Sequence, residues 1–135
     1  MSNSNKIKHL EFIQSIITRF NANSFMIKGW VITLMAAVFA ISASEKDLFI
    51  GFLNYLILPA FWILDGFYLS KERQYRELYS NIISKSEDSI DFSLDATTYN
   101  KGKNTWMSTV FSKTLIVFYF ILILLTFLTT YLING

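Results

Sequence analysis

The chain has 135 residues, of which 53% are apolar and 16% charged, with a net charge of +2 and no cysteine. That composition excludes a disulfide framework and thiolate metal sites, and so small a net charge leaves no footprint for direct sequence-specific nucleic-acid binding. Soluble domains carry about 25% charged residues; here the charge is missing from three long stretches and crowded between them, the pattern of an all-α integral membrane protein.

The N-terminal region is charged throughout and lacks a signal-peptide core with a small-residue cleavage site, so the N-terminus is expected to be kept. Within residues 1–22, Leu10, Ile13, Ile16, Ile17 and Phe20 share one face at about 100° per residue, and Lys8, Glu11, Gln14, Ser15 and Thr18 take the other. This reads as an amphipathic helix, too charged to span. His9 falls on its apolar face and reads as a packed histidine. Asn21 to Ser24 are expected to break the helix, with Asn23 or Ser24 capping the next one.

The first span is placed at residues 24–44. Sixteen uncharged residues separate Lys28 from Glu45. At a rise of about 1.5 Å per residue they fall slightly short of a hydrocarbon core of about 30 Å, unless Lys28 snorkels to the headgroups and Trp30 sits at the interface. Thr33, Ala37, Ala40 and Ser44 form a small-residue face, the kind that lets membrane helices approach closely. It is expected to touch the chain's own other spans, with a subunit interface or a pore lining as the alternatives.

After the turn at 45–47 comes a second span at 48–70, with Pro59 expected to kink it. Asp65 is its one acid. An acid inside a span needs a partner or water. Counting back symmetrically from Lys46 puts Asp65 level with Lys28 on an antiparallel neighbour, so an ion pair with Lys28 or a bond to the Trp30 indole is expected. Asp65, Lys28 and Trp30 are therefore the structural or gating candidates.

Residues 71–112 are read as a cytoplasmic helix and loop. Tyr68, Tyr75, Tyr79 and Ile82 continue the helical stripe beyond the span, and Glu72–Arg76 and Arg73–Glu77 are spaced to pair at i,i+4. The polar stretch 84–104 allows a short extended piece at Ile90, Phe92 and Leu94, and should fold back on the helices. Contacts are expected from Leu10, Ile13, Ile17 and Phe20 to Leu78, Tyr79 and Ile82. Lys71, Arg73, Arg76, Lys101 and Lys103 are candidate contacts for an anionic ligand or lipid headgroups; the positive-inside tendency also accounts for them.

Trp106 and Lys113 flag another boundary, and the third span at 113–133 is uncharged over residues 114–133. Thr126 and Thr130 lie on one side of it and join the candidate interface or pore face. Lysine and arginine number four up to residue 28, seven over 71–113 and one in the 45–47 turn. This places the N-terminus and the 71–113 region in the cytoplasm. No phosphate loop, G-x-S-x-G elbow or HExxH occurs, so no enzyme activity and no cofactor or metal is expected.

Three pieces taken together, "NSFMIKGW" at 23–30, "FWILDGFYLSKERQYRELY" at 61–79 and "DFS" at 91–93, resemble a group of small bacterial membrane proteins. That group is similar to the SLATT-type transmembrane proteins associated with nucleotide-signalling and anti-phage defence. The resemblance implies a homo-oligomeric effector in the bacterial inner membrane, a gated channel or membrane-disrupting protein, triggered by a cytoplasmic nucleotide-signalling or nucleic-acid-sensing partner. The alternative is a non-conducting membrane anchor that recruits a soluble partner enzyme.

Overall fold

The computed structural model describes residues 4–135; the first three residues of the expected 1–22 segment lie outside it. The chain is all-helical, with no strand among the described residues. Its α-helices are α1 (Ser4–Glu45), α2 (Leu48–Phe52), α3 (Asn54–Ile83), α4 (Trp106–Val110) and α5 (Lys113–Asn134). Three helical stretches are long and apolar enough to cross a membrane: α1, α2–α3 together, and α5.

The break expected at Asn21–Ser24 is absent, and α1 runs unbroken for 42 residues. The polar side chains that could have capped a new helix are used across the bundle instead. Asn21 donates to Glu72 at 2.9 Å, and Ser24 donates to Asp65. Cross-helix partners for these groups remove the competition with backbone bonds that makes asparagine and serine weak helix formers.

The turn after α1 is tight. Lys46 takes φ +54°, Asp47 N–H donates to the Ser42 carbonyl, and the Asp47 side chain accepts from Phe49 N–H. A left-handed residue with a bond back across the last turn ends α1, and the aspartate caps α2. The interruption of the second span falls at Leu53, not at Pro59. Pro59 sits in the second turn of α3, where it removes only the bond to the Tyr55 carbonyl.

Two cores are stacked along the same helices. The spanning core joins Val31 and Met35 of α1, Leu58 of α3, and Leu115, Tyr119 and Leu122 of α5. The second core joins Ile13 and Ile17 to Leu78 and Ile82, closed by Ile90 and Ala96, with Leu10, Tyr75, Tyr79 and Tyr99 against it. Phe20 packs instead one turn toward the span, stacked on Tyr75 at 5.9 Å and tilted on Tyr68 at 6.2 Å. Burial, and then the Asp95 charge, pushes the Tyr75 hydroxyl above the ordinary tyrosine range.

The 84–104 stretch folds back through three 3-10 turns, Glu87–Ser89, Thr97–Tyr99 and Gly102–Asn104; in the expected short extended piece, Ile90 is extended but Phe92 takes φ +58°, and no strand forms among the described residues. Asn104 holds it down: its carbonyl accepts from Ser70 at 2.5 Å and Gln74 at 3.3 Å, and its amide donates to Glu77 and to the Tyr99 carbonyl. His9 is packed as expected, edge-on to Phe92 at 5.4 Å.

The second core is small, so each member matters. Ile17→Ala should lower stability by about 2–4 kcal/mol, measured by denaturant unfolding in detergent. An equivalent truncation at Ile16, on the half-buried flank, should cost clearly less.

Candidate functional site

Where the two cores meet, the three long helices share a polar cluster. Positions 21, 24 and 28 follow at i, i+3 and i+7 on one face of α1; Asp65 and Glu72 are seven apart on α3. Antiparallel packing brings these faces together. Lys28 Nζ reaches Asp65 Oδ2 at 2.6 Å and Ser24 Oγ at 2.9 Å. Ser24 donates to the other carboxylate oxygen, and the Tyr119 hydroxyl of α5 donates to Oδ2 at 3.0 Å. Asp65 is 0% exposed and Lys28 22%.

Aromatic rings wall the cluster. Trp62 lies parallel to Tyr119 with centroids 5.6 Å apart, and Lys28 Nζ stands 5.6 Å from the Phe118 ring centre. Next to it, Glu72 accepts from Asn21 and pairs with Arg76 at 3.0 Å. A cavity of about 210 Å³ opens between the two groups, lined by Ser24, Lys28, Glu72 and Thr114 among others.

The geometry is that of a buried ion pair. Lys28 donates to both Ser24 and Asp65. The Ser24 hydrogen is committed to the carboxylate. Among the described residues no three His, Asp or Glu side chains converge on a metal-sized site.

Of the sequence candidates, the structure brings Lys28 and Asp65 together and leaves Trp30 out. Trp30 is 57% exposed on the far side of α1. Lys28 turns into the bundle toward Asp65 rather than outward; a buried carboxylate left without a partner is strongly destabilising. The Thr33, Ala37, Ala40 and Ser44 face does not touch the other spans. All four are exposed, while Ile27, Val31, Met35 and Ser42 make the contact. Thr126 does not share that outward face: it is buried in the bundle and donates to the Leu122 carbonyl at 2.9 Å, and Thr130 is half-buried.

The cationic candidates are dispersed. Arg76 is held by Glu72, and Arg73 donates to the Lys103 carbonyl at 2.7 Å in place of the expected pair with Glu77. Lys101 and Lys103 are exposed, and Lys71 stands 5.6 Å from the Phe67 ring centre. Sequence reasoning missed Ser24, Asn21, Glu72 and Tyr119 as members of the cluster. The i, i+3, i+7 run of polar groups on α1, opposite the i, i+7 acids on α3, was the signal.

Compared with protein-family models, with curated proteins and with solved structures, the chain matches none.

Removing one partner of a buried pair strands the other, at a cost of about 3–5 kcal/mol. Lys28→Met should therefore destabilise more than the double variant Lys28→Met/Asp65→Asn. A double-mutant cycle by denaturant unfolding in detergent measures it, and additive effects would show that the two side chains do not interact.

Proposed function

We propose that the chain is a membrane effector that works as a homo-oligomer, in which a soluble trigger at the Ile13–Leu78 end opens a gated path or disrupts the bilayer. The observation that carries this is the continuity of α1 and α3. Each passes without interruption from the second core into the spanning core. A ligand that re-angles the two helices at one end must therefore move them at the other, as rigid helices transmit a rotation or shear.

Two further features support a bundle that assembles and shifts. The spanning interior of one chain is packed shut around Val31, Leu58 and Tyr119, so a path requires several copies. The exposed face at Thr33, Ala37, Ala40 and Ser44 is suited to close helix approach, and Thr33 already satisfies its hydroxyl on the Gly29 carbonyl at 2.9 Å. Inside the bundle, both amide atoms of Asn54 and the Thr130 hydroxyl are buried with no partner among the described residues. Unsatisfied buried groups cost about 1–3 kcal/mol each, so a rearranged packing that satisfies them is within reach.

The excess of lysine and arginine at the Ile13–Leu78 end supports a cytoplasmic N-terminus in the bacterial inner membrane. The resemblance to SLATT-type proteins supports a place in anti-phage defence with a nucleotide-signalling or nucleic-acid-sensing partner. The second reading, a non-conducting anchor for a soluble enzyme, is favoured by the filled second core, in which Ile90 and Ala96 already occupy the space between α1 and α3.

Dye and ion flux from liposomes holding the purified protein separates the two. The channel reading expects triggered leakage from an oligomer. Ala37→Leu/Ala40→Leu should cut leakage at least about tenfold by blocking close helix approach, with the monomer's helix content unchanged. An oligomer that never leaks, but retains a soluble partner in pull-down, selects the anchor.

A further inference from the structure

The short helix α4 is not a simple linker between the folded-back stretch and α5. It is fastened to the same turns of α3 that carry Asp65. Trp106 Nε1 donates to the Ile63 carbonyl at 2.8 Å, Trp62 Nε1 donates to the Val110 carbonyl at 2.7 Å, and the Thr109 hydroxyl donates to the Gly66 carbonyl at 2.7 Å. Gly66 permits this approach: a Cβ there would run into the Val110 side chain. Three side-chain bonds to helix carbonyls hold α4 on the membrane side of Lys71.

The outward side of α4 is left open. Met107 is 70% exposed, and Trp106, Phe111 and Ile63 are exposed beside it. With Val110 they line a groove of about 520 Å³ that is almost entirely apolar. Leu64 of α3 and Ile116 and Phe120 of α5 are also exposed. A cation stands beyond the groove's Trp106 wall, outside the lining. Phe67 packs edge-on against Trp106 at 5.4 Å, and Lys71 Nζ stands 5.6 Å from the Phe67 ring centre. Exposed Lys103 lies just ahead of α4. Asp95 also faces Lys71, but the two are not within ion-pair distance.

We infer that the α3–α4 groove is a binding site for one anionic phospholipid, with an acyl chain along Ile63, Met107 and Phe111 and the headgroup phosphate at Lys71. An apolar slot with a lysine one aromatic ring beyond its Trp106 wall matches a lipid in both halves, the acyl chain in the slot and the phosphate at the cation, where a two-fold pairing of copies through the slot would bring the two Lys71 ammonium groups toward each other. The Trp106 N–H is already bonded to protein, so the indole serves as a wall of the slot and Lys71 supplies the headgroup contact. This rests on the membrane reading and is independent of whether the protein conducts.

Native mass spectrometry of the full detergent-purified chain tests it, with phosphatidylglycerol and phosphatidylcholine of matched chains as probes and glycerol phosphate as the headgroup alone. One phosphatidylglycerol should be retained per chain, at least about fivefold in preference to phosphatidylcholine, with no retention of glycerol phosphate. Lys71→Gln should bring the preference close to one. Met107→Glu, at an exposed position that the fold does not depend on, should lower retention of both lipids about tenfold. Equal retention of the two lipids by the unaltered chain overturns the inference, as does undiminished binding in Met107→Glu. Because no flux is measured, a protein that only anchors still reports on this site, and loss of lipid selectivity leaves the flux experiment to stand or fall separately.

Discussion

Asp65 is a carboxylate with no exposed surface, set at the level where three helices cross from a polar collar into an apolar span. Desolvating an ion costs several kcal/mol unless charge and hydrogen bonds replace the lost water. Lys28, Ser24 and Tyr119 supply them, from two other helices. Sliding α1 past α3 by one turn would take Lys28 and Ser24 away together; sliding α5 would take Tyr119. Apolar contacts between smooth helices tolerate such shifts with small losses, whereas this cluster does not. The register of the bundle is therefore set at one polar point, and the two apolar cores on either side fill the space that it defines.

That constraint also explains why α1 is unbroken. The residues that look like a break, Asn21 to Ser24, have side chains whose hydrogen bonds are needed across the bundle. An intact helix is the conformation that presents positions 21, 24 and 28 on one line. Breaking the helix at 22 would spend the same polar groups on capping and leave Asp65 and Glu72 short of partners. Local preference loses here to tertiary demand, because a buried unpartnered acid costs more than the few tenths of a kcal/mol by which asparagine and serine disfavour a helix.

Much of this was legible in the chain itself. Charge-free stretches marked the three apolar helical elements, and the apolar period of residues 10–20 found the second core. Counting from the Lys46 turn put position 65 opposite 27, one residue from Lys28. Other features were hidden for physical reasons. Small residues at 33, 37, 40 and 44 look like a packing face, but nothing in their spacing says whether the packed partner is the same chain; the larger Val31 and Met35 fill the interior instead. The interruption came at Leu53, six residues before Pro59, and α3 runs on through the proline, which withdraws the one bond to the Tyr55 carbonyl. The fastening of α4 depends on backbone carbonyls of Ile63, Gly66 and Val110, and carbonyl direction leaves no trace in residue identity. Gly66 alone hinted at a close approach.

The arrangement gives α1 two opposed duties that meet at Lys28. Its inward line, Ile13, Ile17, Ile27, Val31 and Met35, is buried in the chain's own bundle, while Thr33, Ala37, Ala40 and Ser44 on the outward line are exposed. A helix whose interior face is fixed by a buried ion pair cannot roll to bury its outer face within the same chain, so that face stays exposed. The α3–α4 side differs: there the chain covers its own helix with α4 and exposes an apolar groove, with Lys71 one aromatic ring beyond its Trp106 wall. Two surfaces of the bundle thus offer different chemistry, exposed small residues on α1 and an apolar slot between α3 and α4. Both are tied through α1 and α3 to the one buried charge.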